Sequence, residues 1–389
     1  MTHRPRQVAG GDAVVGRRSP QPAAADPGPA LPPGLLPPSV RAALGGDGPD
    51  LTVQELTHNA GNQATGGIWR VQGPAGRAVL KLATAAGGGD RAWSTSEDPH
   101  HWNAWRREVL AYRSGFAHSV YAGAGLGAPR LLATLEPRPG VVALWLEDVA
   151  GLPGADWGVD RLADVARRLG AAQAAWAGRP LPQPWLSRRW LRQYVASKPV
   201  AEPVPWDHQR AADVWPGGVR AGLRALWERR GELLDLAESL PRTTCHLDVW
   251  PMNLIAREGP GDEVVLLDWA FAGAGAVGED IGNLIPDSVA DGLIDPGLLP
   301  GIDAAVTDGY LAGLRAGGWR GRDAEVRRAI AVTGAAKYCW LAPRMLQRLE
   351  DGGGAGFYDH RGATQALAGR LGMLSLVAGW GRVALGGPG

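Results

Sequence analysis

The chain has 389 residues, 45% of them hydrophobic, enough for two sizeable cores. Its 40 Lys and Arg nearly balance 39 Asp and Glu, and a net charge of +1 favours neither nucleic acid nor an anionic membrane as a partner. The two cysteines, Cys245 and Cys339, are too few and too far apart to suggest a disulfide scaffold or a metal knuckle. Neither a basic start with an apolar core near Met1 nor a run of about 18 apolar residues occurs, so a cytoplasmic protein without membrane contact is expected.

In chain order, residues 1–48 are rich in Pro, Ala and Gly without apolar periodicity and read as a disordered tail. Residues 51–57 alternate as a strand, 58–66 form a glycine-containing loop, 67–71 resume a strand, 73–76 turn, and 78–82 make a third strand. Lys81, one of three lysines in an arginine-rich chain, stands on that third strand. Over 101–113, Trp102, Trp105, Val109 and Tyr112 recur at helical spacing, and the helix stops at Ser114-Gly115. Glu108 lies on the same face as Trp105 and Tyr112 and points toward the sheet; the plainer alternative is a surface Glu paired with a nearby arginine. Residues 141–146 are a fully apolar strand ending in Glu147-Asp148-Val149. A helical block over 159–240 follows, joined by proline turns and carrying Trp176, Trp185, Trp190, Trp206, Trp215 and Trp227. Each of these rings serves either a core or a flat ligand. The division expected is a tail over 1–48, an N-terminal lobe over 49–147 and a C-terminal lobe over 148–389.

The strongest chemical signal is His246-Leu247-Asp248 with Asn253 five positions beyond Asp248 and Asp268 fifteen beyond Asn253. In phosphoryl transfer an Asp in such a loop accepts the proton of the attacking hydroxyl, an Asn five positions on ligates Mg²⁺, and an Asp after the next strand bridges metal and nucleotide phosphates. The surroundings suit the motif. Residues 263–267 form a short aliphatic strand that delivers Asp268, and 257–262 is a turn, so Asn253 and Asp268 sit at the open ends of a hairpin.

These residues resemble the aminoglycoside phosphotransferase and choline kinase group of small-molecule kinases, over roughly residue 51 to the end of the chain. The resemblance implies an α+β, two-lobed protein-kinase-like fold: a small antiparallel sheet with one helix, then a larger, mainly helical lobe. It implies ATP and Mg²⁺ as cofactors, with Asp248 as catalytic base, Asn253 and Asp268 on the metal, and Lys81 on the phosphates, oriented by Glu108. Glu147 and Val149 would form the interlobe hinge, where backbone groups hold the adenine. Asp280 would be the acidic anchor on the helix that follows. Leu247 departs from the family's usual glycine and implies a divergent branch.

The function expected is therefore phosphoryl transfer to a hydroxyl of a small molecule: an aminoglycoside, another antibiotic, or a sugar or amine metabolite. A protein kinase is the alternative, opposed by the missing arginine before Asp248 and the missing Ala-Pro-Glu after Asp268. A catalytically inactive kinase-like module is opposed by the presence of Lys81, Asp248, Asn253 and Asp268 together. Residues 258–308 contain eleven acids and no Lys or Arg. These acids either line a cleft for a cationic acceptor, Asp287 and Asp291 first, or form a solvated surface.

Overall fold

The structure is a computed structural model that describes residues 31, 34–46, 50–85, 91–259, 261–351, 358–359 and 361–386. Most of the expected tail lies outside those residues, but its boundary at 48 is corrected. Pro38–Leu44 form a helix, α1, whose prolines set the φ of the first turn and which ends at Gly45 with φ 76°. Val40 and Leu44, with Leu35 ahead of them, are buried on the neighbouring sheet, and the Trp145 indole donates to the Leu35 carbonyl at 2.8 Å. Proline content hid an apolar pair at i, i+4 that covers one face of that sheet.

The sheet is built from β1 (Thr52–Glu55), β2 (Thr65–Gln72) and β3 (Arg77–Thr84), followed after two short helices by two further strands. The helices are α2 (Arg107–Arg113) and α3 (Phe116–Ser119); the two-residue β4 (Leu126–Gly127) precedes β5 (Leu131–Arg138) and β6 (Val141–Glu147). The order is β1-β2-β3-β6-β5, with every pair antiparallel. Period-two alternation gives β3 two faces. Ala78 and Leu80 join Val71, Trp145 and α1 on one side, while Lys81 and Ala83 look the other way, where Ala83 packs with Trp105, Val109 and Val142. At Gly67, φ is 138° and a Cβ would fall 2.1 Å from the Trp69 ring, so the bulge between Thr65 and Gly67 requires glycine.

The helix expected over 101–113 is shorter, and α2 begins at Arg107. The carbonyls of Pro99, His101 and Trp102 accept hydrogen bonds from the Arg107 guanidinium, so they are not spent on a helical ladder.

The C-terminal lobe opens with β7 (Gly151–Pro153) and continues through α4 (Val159–Ala174), α5 (Trp190–Ala196), α6 (Gln209–Val214), α7 (Gly217–Glu228) and α8 (Arg230–Ser239). Then come β8 (Arg242–Cys245), β9 (Leu254–Arg257), β10 (Val264–Leu266) and β11 (Gly273–Ala276). The chain ends in α9 (Glu279–Ala290), α10 (Leu299–Ala316), α11 (Asp323–Tyr338), α12 (Leu341–Asp351), α13 (Ala363–Gly369) and α14 (Leu371–Ala384). β9 and β10 form the antiparallel hairpin expected, flanked by β7 and β4 in the order β4-β10-β9-β7, and β8 pairs with β11. The helices surround one large core that runs to Ala384 and also takes in Trp102, Tyr112 and Phe116 around α2 and α3 and Leu144 and Leu146 of β6. The architecture is α+β in two lobes, joined where β6 ends and β7 begins to pair with β9. Among the described residues no helix is long and apolar enough to cross a membrane.

Candidate active site

The cleft between the lobes has a volume of about 610 Å³, and Lys81, Glu108, Glu147, Val149, Asp248, Asn253 and Asp268 all line it. Lys81 leaves the cleft-facing side of β3, and α2 crosses that face. The Lys81 Nζ lies 2.6 Å from Glu108 Oε2 and 3.0 Å from Asp268 Oδ1, so one ammonium joins both lobes. Burial by itself would lower the Lys81 pKa, but the Asp268 and Glu108 carboxylates outweigh it and hold the ammonium charged. Burial pushes Glu108 the other way, upward, and Lys81 opposes that rise.

The loop after β8 is held by one carboxylate. Asp280, fully buried at the start of α9, accepts the His246 N–H at 3.0 Å, the Leu247 N–H at 2.7 Å and the Gln173 side-chain amide at 2.6 Å. Two successive N–H groups converge on it because Leu247 is left-handed, with φ 68°. A leucine there is strained by about 1–2 kcal/mol, which explains why glycine suits the position. Its side chain is 2% exposed and packs opposite Gly275 on β11, where a Cβ would come within 3.0 Å of the Leu247 Cδ2. A Cβ at 275 would meet the Cys245 Sγ at 2.6 Å as well, so glycine there leaves room for both Cys245 and Leu247.

Asp248 then points into the cleft. Asn253 donates through Nδ2 to the Asp248 carboxylate at 2.8 Å and to its carbonyl at 3.0 Å, which leaves the Asn253 Oδ1 to face a cation. The Leu267 N–H donates to the Asn253 carbonyl at 2.9 Å, fixing the two open ends of the β9–β10 hairpin side by side. Asp268 is itself left-handed at φ 56° and caps the turn that follows, through the Ala270 N–H. Among the described residues no three His, Cys, Asp or Glu side chains cluster as a metal cage. Asn253 and Asp268 thus offer two hard oxygens, the sparse set that suits a Mg²⁺ ion keeping water and phosphate ligands.

Burial raises the Asp248 carboxyl to about 7; Lys337 opposes the rise, and Asp268 and Asp287 add to it. A carboxylate poised there suits a general base near neutrality. His246 is fully buried, edge-on to Trp269 at 4.7 Å, and burial pushes its pKa down to about 4, so it is a neutral packing element beneath the loop.

At the hinge, the Glu147 carboxylate turns to Arg257, at 2.6 Å, and to the Arg130 N–H, at 3.1 Å, which together hold its pKa below normal despite partial burial. Its side chain is thereby committed to protein groups, and its backbone N–H donates to the Arg130 carbonyl at 2.9 Å. Val149 is half-buried on the same wall.

Asp287 and Asp291 also line the cleft, at the end away from the hinge. Neither stands alone: Asp287 faces Lys337 at 3.7 Å and Asp291 faces Arg370 at 2.6 Å. Of the remaining acids in the stretch, Asp262 pairs with Arg168, Glu263 with Arg257 and Asp308 with Arg327. Of the six tryptophans in the helical block only Trp190 lines the cleft.

Sequence reasoning missed Arg107. It is 1% exposed and donates to the carbonyls of Trp102 at 3.0 Å, Pro99 at 2.8 Å, Ala270 at 2.8 Å, Trp185 at 3.5 Å and His101. Burial pushes its pKa down to about 9, with Asp98 opposing. It ties the helix bearing Glu108 to the segment after Asp268, and nothing in the sequence around it announces that task. Gln173 and Tyr310, which buttress Asp280, were equally silent: the Tyr310 hydroxyl donates to Gln173 at 2.6 Å.

A strand lysine paired with a helix carboxylate, facing an Asp, Asn and Asp across an interlobe cleft, is the layout of a phosphotransferase. The chain matches the model of the phosphotransferase enzyme family over residues 62–324, more than half its length, and belongs to that family. No curated protein matches it. Solved structures similar to it include a choline/ethanolamine kinase family protein from Mesorhizobium loti, at 17% identity over 86% of this chain and 92% of that one, with a TM-score of 0.44. Choline kinase LicA from Streptococcus pneumoniae shares 16% identity over 82% and 92%, with a TM-score of 0.45. Aminoglycoside phosphotransferase APH(4)-Ia, in a ternary complex with AMP-PNP and hygromycin B, shares 14% over 85% and 94%, with a TM-score of 0.44. At such scores these likenesses add no argument about the acceptor of this chain.

Proposed function

We propose that this phosphotransferase moves the γ-phosphoryl group of ATP to a hydroxyl of a small molecule. The observation that carries the reading is the Lys81–Glu108–Asp268 chain of ion pairs across the cleft from Asp248, with Asn253 donating to the Asp248 carboxylate. Lys81, oriented by Glu108, holds the nucleotide phosphates; hinge backbone at 147–149 borders the adenine pocket; Asp248 orients the acceptor hydroxyl and takes its proton. The acceptor oxygen forms a bond to the γ-phosphorus, the bond from that phosphorus to the β–γ bridging oxygen breaks, and ADP leaves. Mg²⁺ held by Asn253 and Asp268 would neutralise charge on the phosphates. A small molecule is favoured over a protein acceptor because Trp190, Tyr194 and Lys337 enclose the far end of the cleft instead of an open groove. The test is ADP release by purified protein with Mg²⁺-ATP and hydroxyl compounds, with mass detection of a phosphorylated product. An enzyme that binds no Mg²⁺-ATP, or that uses it without ever transferring to a hydroxyl, would oppose the reading.

A further inference from the structure

The chain contains three lysines, and two of them, Lys81 and Lys337, line this cleft. Lys81 serves the nucleotide end. Lys337 lines the acceptor end, 3.7 Å from Asp287 and 5.3 and 5.8 Å from the ring centroids of Trp190 and Tyr194. Lys198 lies behind the same wall, with its ammonium 3.6 Å from the Tyr194 centroid and 4.0 Å from that of Trp93, while Trp340 closes the box at 5.1 Å. Both lysines are buried. The remaining acid at this end, Asp291, faces Arg370, which also pairs with Asp359.

Two features would otherwise draw a cationic acceptor: carboxylates and electron-rich ring faces. Here the protein's own cations occupy the ring faces and, apart from the base Asp248, the carboxylates at this end. A polyamine could reach Asp287 only by competing with a buried Lys337, and a quaternary ammonium would meet rings whose negative faces already serve Lys198 and Lys337. What the rings leave to the cleft is a small apolar surface: Trp190 and Tyr194 stack on each other at 4.6 Å with 13° between planes, and the 2% and 8% of them still exposed form a pre-formed part of the cleft wall. Such a wall gains from burying a ring and gains nothing further from a charge.

Resting on the phosphotransferase reading above, we propose that the acceptor is an uncharged, ring-bearing hydroxyl compound of the aryl glycoside or nucleoside kind, and that Lys337 is the specificity determinant that turns cationic acceptors away. Lys337 acts through charge: it neutralises Asp287 and adds a positive field where an amine would sit.

The experiment compares ADP release with Mg²⁺-ATP for 4-nitrophenyl β-glucoside, uridine and chloramphenicol against kanamycin and choline. The best neutral compound should exceed either cation by at least about tenfold in kcat/KM, a difference of ~1.4 kcal/mol. Its KM should move less than about twofold between low and high salt, because no exposed charge pair is made. Lys337→Met should raise the kcat/KM ratio of kanamycin to the neutral compound by about tenfold while the KM for ATP stays within about twofold. A wild-type preference for kanamycin or choline, an unmoved ratio in Lys337→Met, or no turnover of any neutral compound overturns the proposal. Failure of the phosphotransferase reading is distinct: it would show as absent Mg²⁺-ATP binding and as no phosphorylated product in either charge class.

Discussion

Replacing Arg107 by Met keeps side-chain length and removes the guanidinium donors that tie the Glu108 helix to the far lobe. Four carbonyls, those of Pro99, His101, Trp102 and Ala270, lose hydrogen bonds of 3.0 Å or shorter. At about 1.5–3 kcal/mol for each bond to a charged group, the gross loss exceeds ~6 kcal/mol. The guanidinium, however, is buried without a carboxylate in hydrogen-bonding contact, and relief of its desolvation returns several kcal/mol, as the fall of its pKa to about 9 indicates. A net destabilisation of about 2–4 kcal/mol remains. The Ala270 bond is the one that crosses to the segment following Asp268, so its loss also lowers the fraction of molecules with Glu108 docked on Lys81. If that fraction falls to about one tenth, the apparent KM for ATP rises about tenfold, since affinity scales with the competent fraction. Urea unfolding and steady-state kinetics with varied ATP measure both effects, and Arg107→Lys, which keeps a charge but has fewer donors, should recover part of the ATP affinity. A variant that loses stability yet binds ATP as the parent does would refute the coupling of Arg107 to the nucleotide site.

Asp280→Asn places an amide donor against either the His246 or the Leu247 N–H, and should lower kcat about 100-fold with an ATP KM near that of the parent; equal loss in both parameters would argue against a role confined to the loop. With Asp248 in the proposed role of base and burial lifting its pKa to about 7, kcat/KM should fall about tenfold per pH unit on the acid side of that value. Lys337 favours the Asp248 carboxylate, so Lys337→Met should move the acid limb to higher pH, and a shift downward in a pH–rate profile would contradict the assignment. Asn253→Ala should raise the Mg²⁺ concentration needed for half activity, and Asp268→Ala should abolish productive Mg²⁺-ATP binding; metal titrations unchanged in both would count against their place on the cation.

What could be read from the sequence was local. β3 and the β9–β10 hairpin show short aliphatic runs bounded by turn residues, so Lys81 and Asp268 could be placed at a strand centre and a strand end. The spacing of Asp248 and Asn253 fits within one short turn, and their hydrogen bond follows from it. Residues that act through distant partners left no such trace. Arg107 is defined by the carbonyl of Ala270, and Gln173 by Asp280, each more than a hundred positions away. The acidic stretch left two readings open for a related reason. Its charges look unbalanced along the chain, yet Lys337, Arg370 and Arg168 come from elsewhere in the fold to neutralise them. α1 went unread because Val40 and Leu44 are intelligible only once the sheet they cover is known.

The most direct measurement is transfer itself: purified protein, [γ-³²P]ATP, Mg²⁺ and the best hydroxyl acceptor, run beside Asp248→Asn. Label should pass to the acceptor oxygen in the parent, and the variant should bind ATP comparably while transferring about two to four orders of magnitude more slowly. Label that never reaches a hydroxyl compound, or an Asp248→Asn variant that transfers at the parent's rate, would contradict the assignment of Asp248 as the base of a phosphotransferase.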